Sequence, residues 1–175
     1  MIIHINEAIL PELVDRVGTA YNNLDMYDGG KMEDLVIYIC TPGGSNWCTA
    51  ALIDMINEHK DHTILKGYGE ICSNGIKLLF SVQCKKEILP ESIGMYHLTS
   101  NTGIPTFEGN TQHNNEYGVF MREQTDNFNY LEGVNKLVKF TKDELKRIKL
   151  NYDVWFSYER LQEMMVYNKT KLKLK

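Results

Sequence analysis

The run "GEICSNG", residues 69–75, places Ser73 in a tight turn bounded by glycine, where an apolar strand pattern hands over to a helical one. A hydroxyl at the head of a helix can cap the free N–H groups of the first turn. On a sharp elbow it can instead stand exposed as a nucleophile, with the next backbone N–H aimed at the reaction centre. A second turn of the same kind, "TPGGS", puts Gly43 and Gly44 between a strand and a helix. Such a pair either reverses the chain or leaves backbone amides free to hold a negative charge. His97 closes the run "SIGMYHL" at a strand end facing a loop, where an imidazole serves as a proton acceptor or as a half-buried, hydrogen-bonded structural group. The other histidines carry less. His59 and His62 form H-x-x-H at a helix end but lack a third ligand, and His4 and His113 have no acidic or cysteine cluster nearby, so no metal is expected. "GYGEICSNG" lacks the G-x-G-x-x-G spacing of a dinucleotide loop, and no cofactor is expected either.

The elements that must position these residues are written in the apolar pattern. Ile9, Leu10, Leu13, Val14, Val17 and Tyr21 recur at helical spacing, with Asn6 placed to cap and Pro11 near the first turn. Leu35 to Cys40 is an unbroken apolar run, as in a strand covered on both faces. Leu52, Ile53, Met55 and Ile56 mark a helix that fades at "NEHKD", and "HTILKGY" reads as the next strand, which implies a parallel crossover. The pattern repeats after the second turn, with Ile76, Leu79, Phe80 and Val82 on one helical face and "KEILP" and "SIGMYHL" as short strands. Thr99 to Thr111 reads as a loop, and Tyr117, Phe120, Met121, Phe128 and Leu131 carry a long helical pattern. Lys142 to Leu150 and Ser157 to Tyr167 read as two further helices, Ser157 being the N-cap of the second.

Composition bounds the class. A chain of 175 residues, 43% hydrophobic and 24% charged, can bury a core as one domain over residues 1–175. The net charge of −4 gives no electrostatic reason for a nucleic-acid or anionic-membrane partner, and the four lysines in "TKLKLK" and the residues just before it read as a solvated tail. No long uncharged apolar run or basic leader occurs, so a cytoplasmic protein is expected. Cys40, Cys48, Cys72 and Cys84 show no C-x-x-C spacing and read as free thiols.

In order and interval, "YICTPGGS", "GEICSNG", "GMYHL" and "YDVWFSYERLQEM" resemble the proteolytic subunit of the Clp protease, ClpP, across roughly Val36 to Tyr167. The resemblance implies an α/β chain of the ClpP/crotonase-like fold, built of repeated strand-turn-helix units with a projecting handle helix at about 105–140. It implies a serine endopeptidase in which Ser73 attacks, His97 accepts its proton, and Asp153 orients the imidazole. It assigns the oxyanion hole to the amides of Gly43 or Gly44 together with that of Asn74. The implied substrates are peptides or unfolded proteins. The implied assembly is a homo-oligomer of stacked seven-membered rings with the sites inside, docked to an AAA+ unfoldase if one is present.

Two departures from the family pattern stand out: Asn74 replaces the usual Met, and Lys77 stands where the family has small or apolar residues. A buried unpaired ammonium is costly, so Lys77 must reach solvent, pair with an acid, or mark a changed pocket. Two other classes stay open. A catalytically inactive ring subunit or scaffold would keep the fold and lose the chemistry. A crotonase-type acyl-CoA enzyme would use the same glycine turn for a thioester enolate and need no Ser-His-Asp set.

Overall fold

The computed structural model describes residues 1–26, 34–98 and 129–173. Its centre is a six-stranded sheet ordered β1-β2-β3-β5-β6, with β4 also paired to β3. The strands are β1 (Ile2–Ile5), β2 (Leu35–Thr41), β3 (Thr63–Cys72), β4 (Lys85–Ile88), β5 (Ile93–Tyr96) and β6 (Val154–Phe156). All pairs are parallel except β5 with β6. The helices are α1 (Pro11–Met26), α2 (Asn46–Glu58), α3 (Asn74–Ser81), α4 (129–138 of the described residues), α5 (Lys142–Lys149) and α6 (Tyr158–Leu172).

The strand-turn-helix repeat read from the sequence is present twice, as β2 to α2 and β3 to α3. Alternate residues of β2 are fully buried (Leu35, Ile37, Ile39), and on the helices Leu52 and Ile56 of α2 and Leu78, Leu79 and Phe80 of α3 meet the same core. A ladder of aromatic rings, Tyr96, Phe140 and Phe156, with centroids 5.5 and 5.8 Å apart, joins β5 and β6 to the chain entering α5.

Several boundaries differ from those read in the sequence. α1 begins at Pro11 and not near Ile9, with the proline in the first helical position, where its missing N–H costs nothing. Asn6 does not cap it; its side-chain oxygen accepts from the Tyr68 hydroxyl. β1 and β6 were not apparent as strands. "GEIC" is not part of a turn: β3 runs through it to Cys72, so the turn is Ser73 alone. The register explains how. Ile39 pairs with Gly67 but Thr41 pairs with Ile71, so β3 takes extra residues there, with Gly69 at φ +57 against the Cys40 sulfur. At this irregularity β3 exchanges partners, from β4 (Ile64 to Gly67) to β5 (Glu70 to Cys72). The expected handle region lies outside the described residues except for its end, where α4 buries Leu131, Val134 and Val138.

Candidate active site

The sheet brings three chain ends together. β3 ends at Cys72, opposite Met95 of β5, and the Ser73 N–H donates to the Met95 carbonyl at 2.7 Å. β5 ends at Tyr96, paired with Val154, the first residue of antiparallel β6. His97 and Asp153 are the next residues along that pair, which is how 56 positions of sequence separation collapse to neighbours.

Ser73 holds φ +52 and ψ −116, a conformation L-residues avoid. Its side chain makes no hydrogen bond to the helix it precedes. The three other Ser or Thr residues at helix starts behave otherwise: Ser45 accepts from Cys48 N, Thr141 from Glu144 N and Ser157 from Arg160 N. Ser73 Oγ instead lies 3.0 Å from His97 Nε2. Asp153 Oδ1 stands 3.8 Å from His97 Nδ1, beyond hydrogen-bond reach, and the carboxylate side chain is 59% exposed against 27% for the imidazole. Asp153 is carried on the short link that follows α5, a helix held by Arg160 of α6. Its guanidinium grips both oxygens of Glu144 at 2.8 Å and the Lys139 carbonyl at 3.0 Å.

The glycine turn packs directly on this elbow. A Cβ added to Gly43, at φ +101, would stand 2.7 Å from Ser73 Cβ and 3.1 Å from Asn74 N, so only glycine allows the approach. Ile9 bridges to Gly44 as a short parallel strand, its N–H donating to the Gly43 carbonyl at 2.7 Å and its carbonyl accepting from Ser45 N at 2.9 Å. In an extended segment the groups of one residue share an edge. The N–H and C=O of Gly44 therefore lie on the edge opposite Ile9, and that carbonyl meets the Asn74 amide at the head of α3. Among the described residues the Gly44 and Asn74 N–H groups have no acceptor, whereas the Gly43 N–H donates to Thr41 Oγ1 at 3.2 Å.

The side chain of Asn74, only 5% exposed, is fully engaged. Its Nδ2 donates to the Gly44 carbonyl and to Asn46 Oδ1, and its Oδ1 accepts from the Tyr130 hydroxyl of α4. Lys77 settles by placing its ammonium 3.8 Å from the centre of the Tyr130 ring. It forms no ion pair with a described residue, and burial holds its pKa below the usual lysine value. Cys72, adjacent to Ser73, is no rival nucleophile: burial, reinforced by the Glu70 carboxylate, pushes its thiol up to about 11. All four thiols are free.

Thr41 and Tyr130 were missed by the sequence reading. Thr41 sat in view as the residue before Pro-Gly-Gly, while Tyr130 carried no signal beyond its helical spacing.

Comparison with known proteins adds the family. The Clp protease family model matches residues 2–155, a span that includes Ser73, His97, Asp153 and both glycines. The curated proteins yield no match. Among solved structures, a point mutant of ClpP1 from Listeria monocytogenes matches with a TM-score of 0.69 at 17% identity, over 98% of this chain and 94% of its own. At that identity the likeness speaks for the fold.

Proposed function

The chain belongs to the Clp protease family, and from that premise we propose that it is a serine endopeptidase acting on peptides or unfolded proteins. One observation carries the reading: the Ser73 hydroxyl, held on a strained elbow, forgoes the helix cap and bonds to His97 Nε2. With its proton on Nδ1, the side facing Asp153, the imidazole accepts the hydroxyl proton at Nε2 as Oγ attacks the peptide carbonyl. It then returns that proton to the leaving amine. The carbonyl oxygen becomes an oxyanion beside the head of α3, where the Asn74 and Gly44 N–H groups are unengaged among the described residues. Gly43 contributes only by releasing or sharing its bond to Thr41. Asp153 orients the imidazole once it closes from 3.8 Å to hydrogen-bond distance, a short approach for an exposed carboxylate.

Family members generally form rings that degrade proteins, and the proposal extends to this chain as a single-domain ring subunit. Exposed Trp155 on the last strand of the sheet and Trp47 after the glycine turn support a subunit contact. A ring of seven, stacking in pairs and docking to an unfoldase are finer parts of the same proposal.

The second reading is an inactive ring subunit. The 3.8 Å gap to Asp153 and the occupied Gly43 amide favour it. Cleavage of fluorogenic peptides separates the two readings. On the peptidase reading wild type turns over and Ser73→Ala loses roughly a millionfold in kcat. Equal background rates for both proteins establish the inactive form.

A further inference from the structure

The Gly44 carbonyl and the Gly44 N–H lie on one edge of the same short extended segment, so whatever holds the carbonyl also aims the amide. The group holding it is the Asn74 side chain, through Nδ2. An amide side chain can turn over and exchange its oxygen and nitrogen, so its orientation is set by its partners. Gly44 O and Asn46 Oδ1 both need a donor, which calls for Nδ2 on that side. The third partner, the Tyr130 hydroxyl, comes from α4 and donates to Oδ1. Its ring is held in turn by the Lys77 ammonium on its face.

We infer that Tyr130 is a positioning residue for the proposed reaction: its hydroxyl fixes the Asn74 amide, which clamps the Gly44 segment and so sets the aim of the Gly44 N–H, a group with no acceptor among the described residues. Among the described residues the Tyr130 hydroxyl bonds to Asn74 and to neither Ser73 nor His97, so its influence passes through Asn74. Without the hydroxyl, Asn74 Oδ1 is left unpaired in a nearly buried place. The amide then gains orientations that put oxygen against the Gly44 carbonyl and release the segment. The transition state loses an aimed donor, while ground-state binding of the peptide is little changed. This inference rests on the peptidase reading.

The test is steady-state cleavage of one fluorogenic peptide by Tyr130→Phe, Asn74→Leu and the double variant, with melting temperatures measured alongside. Phenylalanine keeps the ring under Lys77 and removes only the hydroxyl. Outright loss of an oxyanion donor costs about 10²- to 10³-fold in kcat, and a donor loosened but not removed should cost about tenfold. Tyr130→Phe is expected to lower kcat about tenfold with KM unchanged. Asn74→Leu should lose at least as much, and the double variant no more than Asn74→Leu alone, because the two residues act as one chain. Wild-type kcat in Tyr130→Phe, or losses that multiply in the double variant, would overturn the inference while leaving the peptidase reading intact. If Asn74→Leu does not fold, Tyr130→Phe still decides through its kcat and KM. A wild type that cleaves nothing would remove the peptidase reading and this inference together.

Discussion

Replacing Ser73 by glycine should leave the protein at least as stable as wild type while ending its chemistry. At φ +52 and ψ −116 a serine side chain is strained, and such positions cost roughly 1–3 kcal/mol. Glycine removes that strain but adds about 0.5–1 kcal/mol of unfolded-state entropy. The balance runs from near zero to about 2.5 kcal/mol in favour of Ser73→Gly. Ser73→Ala keeps the strain and deletes only the hydroxyl, whose one side-chain partner among the described residues is the partly exposed His97, so it should lie within about 0.5 kcal/mol of wild type. A helix cap predicts a different order, because Ser→Ala at a cap costs about 1 kcal/mol and Ser→Gly a few tenths. Thr141→Ala supplies the internal control, since Thr141 does cap α5 in a reciprocal box with Glu144. The assay is urea denaturation at one protein concentration, where 1 kcal/mol corresponds to about 2–4 °C in a parallel thermal melt for a chain of this size. A wild type clearly more stable than both Ser73 variants, with Ser73→Ala matching the loss in Thr141→Ala, would refute the elbow and restore the cap.

Other outcomes follow from the same geometry. Asp153→Asn should lower kcat by less than the roughly 10⁴-fold of a buried triad aspartate, because Asp153 is 59% exposed and 3.8 Å from the imidazole; side-by-side kinetics with His97→Ala, which should lose more, check this. Gly43→Ala places a Cβ 2.7 Å from Ser73 Cβ and 3.0 Å from the Cys72 carbonyl at φ +101, so it should cost at least about 2 kcal/mol in urea denaturation and displace the elbow. Lys86 is buried, donates to the Val82 carbonyl at 2.7 Å at the end of α3, and burial lowers its pKa to about 8. Between that value and the usual lysine value the unfolded chain holds the extra proton, so this group makes stability rise with pH. From pH 8 to 9 the stability of wild type relative to Lys86→Met should therefore rise by about 1 kcal/mol. The comparison with Lys86→Met cancels the opposite trend from Cys84, whose thiol is pushed up to about 11 and which loses stability above the ordinary thiol range.

The two strand-turn-helix units were legible because β2 is an unbroken apolar run, fully buried on one face and half-buried on the other, and its helix shows a clear apolar stripe, local signals that tertiary contacts reinforce. Ser73, His97 and the glycine pair were legible as turn and strand-end residues, and Asp153 only through family resemblance. Its strand, β6, is three residues long, too short for alternation to register, and it is a strand only because β5 lies beside it. The end of β3 was misread because "GYGE" carries turn-forming glycines, and only the pairing with β2 and β5 shows that they serve a bulge inside a strand. Tyr130 could not be found from spacing at all. Its role depends on meeting Asn74, 56 positions away, and on a hydroxyl that a helical pattern treats as incidental.

The most direct test of the central claim, that Ser73 is a hydroxyl made nucleophilic by His97, is intact-mass analysis after treatment with a fluorophosphonate. Wild type should gain one adduct per chain, mapped to Ser73, while Ser73→Ala gains none and His97→Ala reacts orders of magnitude more slowly. An unlabelled wild type, or labelling that survives in Ser73→Ala, would contradict the account.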